Sequence, residues 1–324
     1  MHFSTIKRGF TKQKFFWKNL SFGFNRAFWI YMNEVNPTRK VFTKKIDLLT
    51  DFAEKFFKPV VDKYKGKEVE IQEYKGKIPV WIFWLQGKES RPELVELCHK
   101  SLEKYLPKDK TEIKFITKDN YREYMEGCPE IIFKKFEKKK ITVQAFSDIL
   151  RFFLLSKYGG MWIDSTVLVT GDITEEILNS KLYILKIYDE NKYPKEPSRA
   201  IWNMFIWCAK PNNLLFLFAR DCLVYYWTKY NKIIDYVLPD YVIKTAYNNF
   251  DFVKQEIDEQ KPNIHDVWYT LQNINEVYSE ELFKKICENT QFHKLTYRWN
   301  LKEEVDGKQT VYGYLKSVFL NNKS

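Results

Sequence analysis

At 324 residues the chain is long enough to bury a large core, in one elaborated domain or in two. Aromatic residues at 18% and charged residues at 29% describe a globular protein and exclude a disordered one. The formal charge of +11 is uneven: residues 1–67 hold 15 Lys and Arg against 5 Asp and Glu, the remainder 38 against 37, so the basic character belongs to an N-terminal arm.

Taken in chain order, residues 1–31 carry ten aromatic side chains, among them Trp17, Phe24, Phe28 and Trp29, interleaved with basic ones such as Lys18 and Arg26. That composition suits an anionic membrane surface, where rings sit at headgroup depth. It equally suits a helical extension docked on the main body. Nucleic acid is disfavoured because no recognition motif accompanies the charge. From Val41 to Tyr64, apolar positions at helical spacing predict an amphipathic helix broken near its end by Pro59.

The run Ile78–Gly87 reads as a first buried strand and loop, followed by a helix beginning near Pro92. Ile113–Ile116 reads as a second strand and Lys118–Glu126 as a second helix. Thr142 is an N-cap candidate, Ala145–Tyr158 is apolar at nearly every position, and Gly159 is suited to end the helix at positive φ. Met161–Val169 then reads as one central strand interrupted by Asp164, Ser165 and Thr166. Further strands are predicted at Leu182–Ile187 and Ile201–Cys208, with helices at Asn213–Tyr230, Tyr241–Phe252 and Ser279–Asn289. Gln291–Trp299 is open between an edge strand and a tail crossing the active face. This alternation predicts an α/β fold, a parallel sheet flanked by helices.

The five cysteines are odd in number and widely spaced, with no Cys-x-x-Cys pair, so neither a disulfide framework nor a zinc site is signalled and a reducing cytosol fits. No stretch approaches the roughly 20 apolar residues that span a bilayer, and Met1–Leu20 lacks a signal-peptide core. The expected location is cytoplasmic, with peripheral attachment to the inner face of the cell membrane.

Ligands of open α/β sheets bind beyond the carboxyl ends of the strands, where Asp164 would face them. Helical spacing sets Ser147, Asp148 and Arg151 on one face of the preceding helix. Arg151 could pair with phosphate or a sugar hydroxyl, Asp148 could accept from hydroxyls on ribose or the transferred sugar, and a carboxylate beside hydroxyls suits a hard divalent cation. A structural Asp–Arg ion pair with a turn-capping Asp is the competing explanation.

These residues also carry a resemblance. Ala145-x-Ser147-Asp148-x-x-Arg151 followed by Tyr158-Gly159-Gly160-x-Trp162-x-Asp164-x-Thr166 resembles the core of the sugar-transferring family with an Asp-x-Asp signature, closest to capsular polysaccharide synthesis proteins. Trp81-Ile-Phe-Trp84-Leu-Gln86-Gly87 and Phe292-His293-Lys294-Leu295-Thr296-Tyr297 are similar to that family's opening and closing segments. The resemblance spans about Ile78 to Tyr297 and leaves out the basic arm.

The basic, aromatic-rich helical extension over residues 1–75 is read from its own composition. The resemblance implies a GT-A-like glycosyltransferase domain built on a single Rossmann-type sheet, expected over residues 76–324. It also implies a nucleotide-sugar donor, usually a uridine diphosphate sugar, a saccharide or lipid-linked saccharide acceptor, and manganese or magnesium. Ser147, Asp148 and Arg151 would hold the donor, with Trp84 and Gln86 flanking the uracil. Asp164 would meet the metal, and His293 and Lys294 the metal or diphosphate. The wider family retains configuration. Thr166, where that family has a second acid, weakens the metal site, and makes a non-catalytic scaffold subunit the alternative. Trp202, Asn203, Asp235, Tyr236, Asp240 and Tyr241 are acceptor-site candidates; for an inverting reaction Asp235 or Asp240 would be the base.

Overall fold

The computed structural model describes residues 16–189, 197–198 and 202–321. The readings placed on residues 1–15 and on Ile201 lie outside the described residues. The N-terminal region forms α1 (Phe24–Val35), α2 (Arg39–Phe56) and α3 (Lys58–Tyr64). The single helix predicted across Val41–Tyr64 is two, joined at Phe57. Pro59 has no N–H to bond to the carbonyl of Lys55, so the first helix stops before it.

There follow β1 (Ile78–Phe83), α4 (Glu93–Tyr105), β2 (Thr111–Ile116), α5 (Tyr121–Tyr124), α6 (Glu130–Glu137), α7 (Val143–Lys157), β3 (Gly160–Ile163) and β4 (Val167–Val169). The second half contributes α8 (Glu175–Asn179), β5 (Leu182–Ile184), β6 (Ile206–Ala209), α9 (Leu214–Lys229), α10 (Leu238–Asn249) and α11 (Asp251–Asp258). The chain closes with α12 (Tyr269–Gln272), α13 (Glu280–Asn289), β7 (Phe292–Lys294), the hairpin β8 (Glu304–Val305) and β9 (Lys308–Gln309), and α14 (Val311–Lys316).

The fold is α/β. Its central sheet has the order β2-β1-β3-β6-β5. β1 is parallel to β2 and β3, and β6 is antiparallel to both β3 and β5, so four of the five strands point one way. The sheet is thus mostly parallel, as the alternation implied, with β6 the one strand that runs against the others. The helix predicted over Lys118–Glu126 shrinks to Tyr121–Tyr124, because Asn120 turns its side chain onto the Thr117 N–H and the Phe115 carbonyl, and Gly127 sits at φ 82°.

The central helix forms as read. Thr142 Oγ1 accepts from the Ala145 N–H at 3.2 Å, and Ile149, Leu150, Phe152, Leu154 and Leu155 are fully buried. A helix apolar on nearly all sides has to be covered on all sides, and α9 supplies one cover, with Phe152 and Phe216 rings 6.0 Å apart. Gly159 and Gly160 adopt φ 63° and 88°, which L side chains disfavour. A Cβ on Gly160 would also lie 2.1 Å from the Pro79 carbonyl oxygen. The Gly-Gly pair therefore lets the helix reverse into β3 while pressed against β1.

The continuous strand predicted over Met161–Val169 is two. β3 ends at Ile163, the chain turns through residues 164–166, and β4 pairs antiparallel with β7 in a separate two-stranded sheet. The polar residues cause the break. The Val167 N–H bonds to the Asp164 carbonyl at 3.0 Å, and Ser165 Oγ donates to the Phe83 carbonyl at 2.8 Å, tying the turn to the end of β1. Asp164 consequently stands at the carboxyl end of a sheet strand. The segment after α13 is both a strand and a crossing: β7 runs beside β4 and brings Lys294 and Tyr297 over the same end of the sheet.

The N-terminal helices pack on the main body through one continuous apolar cluster, in which Phe22 lies 4.9 Å from Tyr230 and Phe56 lies 5.1 Å from Tyr225, ring to ring. Tyr64 donates to Asp221 at 2.7 Å, and Lys45 pairs with Asp235 at 2.7 Å in a largely buried setting. Trp17 and Phe24 remain 68% and 69% exposed. Among the described residues no helix is long and apolar enough to cross a membrane.

Candidate functional site

A cavity of about 310 Å³ opens at the carboxyl ends of β1 and β3. Residues 83–86 line one side, α7 another through Val143, Gln144, Ser147, Asp148 and Arg151, and the turn Asp164–Thr166 the floor. Tyr236, Lys294 and Tyr297 complete it. Trp84 meets Tyr297 edge to face at 5.7 Å.

Asp164 is the hub of the cavity's polar groups. Its Oδ1 accepts from Trp162 Nε1 at 2.9 Å and from Arg151 Nη2 at 3.2 Å, and its Oδ2 accepts from Lys294 Nζ at 2.7 Å. The same ammonium donates to Thr166 Oγ1 at 3.0 Å. Burial alone would raise the Asp164 pKa, but Lys294 and Arg151 outweigh it and hold the carboxyl below the usual carboxylate range. Asp148 differs. Burial, reinforced by Asp164 and opposed by Arg151 at 3.5 Å, pushes its pKa up to about 7. The Arg151 guanidinium also lies 5.0 Å from the Trp162 ring, and its Nε and Nη1 are buried without a hydrogen-bond partner. A guanidinium with two such donors beside a cavity is equipped to bind an anionic or hydroxylated ligand after a small shift.

The sequence model of the family described as "capsular polysaccharide synthesis protein" matches residues 29–315, most of the chain. The chain belongs to that family. The match starts at Trp29, so most of the N-terminal helical region falls inside the capsular polysaccharide synthesis pattern, whereas the motif resemblance had left it out. No match is found among curated proteins. One similar solved structure, titled "PaToxG Glycosyltransferase", aligns at 14% identity with a TM-score of 0.43, covering 65% of this chain and 83% of its own. That likeness is too slight to carry an inference.

In this capsular polysaccharide synthesis protein, Trp84, Gln86, Ser147, Asp148, Arg151, Asp164, Thr166 and Lys294 are brought together as cavity residues. His293 is not. Neighbouring strand residues face opposite ways, and with Lys294 directed to the cavity His293 is buried at 1% exposure on the other side of β7. Its ring nitrogens are bonded to Thr170 Oγ1 at 2.8 Å and Thr270 Oγ1 at 2.7 Å, and burial lowers its pKa to about 3. The metal and donor roles expected of His293 are therefore corrected to a structural one.

Of the acceptor-site candidates only Tyr236 lines the cavity. Trp202 is buried and donates to Asp240 at 3.2 Å, Asn203 donates to the Leu185 carbonyl at 3.3 Å, and Asp235 is held by Lys45 and Tyr241. Gln144 was missed by sequence reasoning. It lies three and four residues before Ser147 and Asp148 on the same helix face, a spacing that would have found it.

The divalent cation implied by the resemblance does not fit this donor set. Both oxygens of Asp164 already accept from cationic or N–H groups, Thr166 Oγ1 accepts from the same ammonium, and His293 faces away. Among the described residues no group of three or more His, Cys, Asp or Glu is arranged to hold a metal.

Proposed function

We propose that the chain is a glycosyltransferase that moves a sugar from a nucleoside diphosphate donor to a growing surface or capsular polysaccharide or its lipid-linked precursor. A uridine diphosphate sugar is the leading donor. The observation that carries the reading is the convergence of Asp148, Arg151, Asp164 and Lys294, from one helix, one strand end and one returning strand, on a single aromatic-lined cavity. Membership of the capsular polysaccharide synthesis family supports the kind of product.

In this reading Trp84 and Gln86 flank the base by stacking and hydrogen bonding. Ser147 and Asp148 meet hydroxyls of the donor, and Arg151 and Lys294 meet the diphosphate. The bond from the sugar's anomeric carbon to the diphosphate oxygen breaks, and its electron pair stays on the diphosphate, where the two cations offset the new charge. The acceptor's hydroxyl oxygen bonds to that carbon, and its proton passes to the departing diphosphate. Retention of configuration, as in the wider family, is the expected outcome; the two acids considered as bases for inversion, Asp235 and Asp240, are bonded outside the cavity.

The protein acts at the inner face of the cell membrane, touching it through exposed Trp17, Phe24 and Phe28 beside Lys18 and Arg26. Thr166 in place of an acid favours one rival, a non-catalytic scaffold subunit of a polysaccharide assembly complex. Turnover of a panel of nucleotide sugars separates the two. The glycosyltransferase reading expects donor consumption that falls about a hundredfold or more in Asp164→Asn; no wild-type turnover, or none lost in the variant, sinks it.

A further inference from the structure

The donor set that fails to accommodate a divalent cation contains its own cation. Lys294 Nζ lies 2.7 Å from Asp164 Oδ2 and 3.0 Å from Thr166 Oγ1, the two side chains that an Asp-x-Asp pattern would turn toward a metal. Strand pairing holds it there. Lys294 is opposite Val167 in the β4–β7 ladder, the Leu295 N–H bonds to the Thr166 carbonyl at 2.9 Å, and the ammonium is 5.8 Å from the Phe205 ring.

The charges agree with this placement. Two carboxylates and a divalent cation form a neutral cluster, and so do one carboxylate and one ammonium. Thr166 removes one negative charge from the pattern, and Lys294 supplies a cation carrying one positive charge fewer. A divalent ion added to this cluster would face Arg151 and Lys294 with Asp164 already committed to both, and repulsion in a partly desolvated cavity opposes its entry. An ammonium has three N–H donors. Asp164 and Thr166 take two, leaving one for a ligand oxygen at the cavity wall.

We infer that the ammonium of Lys294 takes the place of the divalent cation in this chain, binding the diphosphate of the donor, so that donor binding needs no metal. This rests on the nucleoside diphosphate reading above and departs from the metal-dependent pattern that the motif resemblance implies.

Titration of the full chain with uridine diphosphate by calorimetry, once with a chelator and once with manganese, tests it. The expected result is the same affinity within about twofold in both conditions, with Lys294→Ala at least tenfold weaker in chelator. Filling the opened Asp164–Thr166 site with manganese would restore part of that loss in the variant alone. Wild-type binding that is tenfold or more weaker in chelator overturns the inference and leaves the donor reading standing. Unchanged affinity of Lys294→Ala in chelator also overturns it. No binding of the nucleotide in either condition removes the donor reading and the inference together. The wild-type comparison stands even if the variant does not fold.

Discussion

Arg151 and Lys294 grip Asp164 from opposite oxygens, Arg151 Nη2 at 3.2 Å from Oδ1 and Lys294 Nζ at 2.7 Å from Oδ2. One residue comes from the central helix and the other from a strand near the C-terminus, 143 positions later in the chain. A single carboxylate thus fixes the geometry of two cations at the cavity floor. Asp164→Asn should lower unfolding stability by about 1.5–3 kcal/mol, the range for hydrogen bonds to charged groups. Denaturant titration of wild type and variant at pH 7 checks this, and an unchanged midpoint would contradict the arrangement.

Asp148 should make donor affinity depend on pH near neutrality. Burial pushes its pKa up to about 7, and the carboxylate is the form that accepts from hydroxyls without giving up an acceptor site. Affinity for a uridine diphosphate sugar is expected to rise as pH increases through 7, and the rise should vanish in Asp148→Asn. Stability runs the other way. The folded state keeps a proton that the unfolded chain loses near pH 4, so this group lowers stability progressively from about pH 4 to 7 and fully above it. Asp148→Asn should therefore gain stability relative to wild type at pH 8 and lose that gain near pH 4.

His293 is expected to matter for stability and not for the donor. Removing the ring in His293→Ala leaves the buried Thr270 hydroxyl without its partner, at about 1–3 kcal/mol, while half-buried Thr170 can turn to other partners. Its folded pKa of about 3 lies below the unfolded value near 6.5, so its contribution is complete above pH 6.5 and is lost as pH falls toward 3. Thermal melts at several pH values measure this, and a tenfold loss of nucleotide affinity in a folded variant would reinstate the ligand role.

The fold core was legible because its signals are local. Thr142, the apolar run behind it and the Gly-Gly pair specify a capped, buried helix and a tight reversal, each set by neighbouring residues. Asp148 and Arg151 were legible as a pair for the same reason. What escaped was decided by distant partners. The pairing of β4 with β7, the antiparallel run of β6 and the facing of His293, set by the register Leu168↔His293, all rest on segments far along the chain. In a strand a shift of one residue exchanges the two faces, so a sequence that offered both His293 and Lys294 could not say which one reached the cavity.

Gly160 offers a strong test of the reversal between α7 and β3. Gly160→Ala sets a methyl 2.1 Å from the Pro79 carbonyl oxygen at φ 88°, and both the clash and the backbone strain oppose folding. A loss of about 3 kcal/mol or more is expected in denaturant titration, and a loss below about 1 kcal/mol would show that β1 and β3 are less closely pressed.

The N-terminal aromatics should divide by exposure. Phe22, buried against Phe52 and Tyr230, is expected to cost about 3–5 kcal/mol as Phe22→Ala. Trp17→Ala with Phe24→Ala should leave stability within about 0.5 kcal/mol but weaken sedimentation with anionic phosphatidylglycerol vesicles severalfold. Equal vesicle binding by wild type and the double variant would contradict the membrane contact.

In the proposed donor site Arg151 and Lys294, fixed by Asp164, meet the diphosphate and Asp148 meets the sugar. A crystal structure of the chain soaked with uridine diphosphate tests it most directly. The diphosphate is expected within hydrogen-bond distance of Lys294 Nζ and the Arg151 guanidinium, with the uracil beside Trp84 and Gln86. A nucleotide bound elsewhere, or diphosphate oxygens out of reach of both cations, would contradict it.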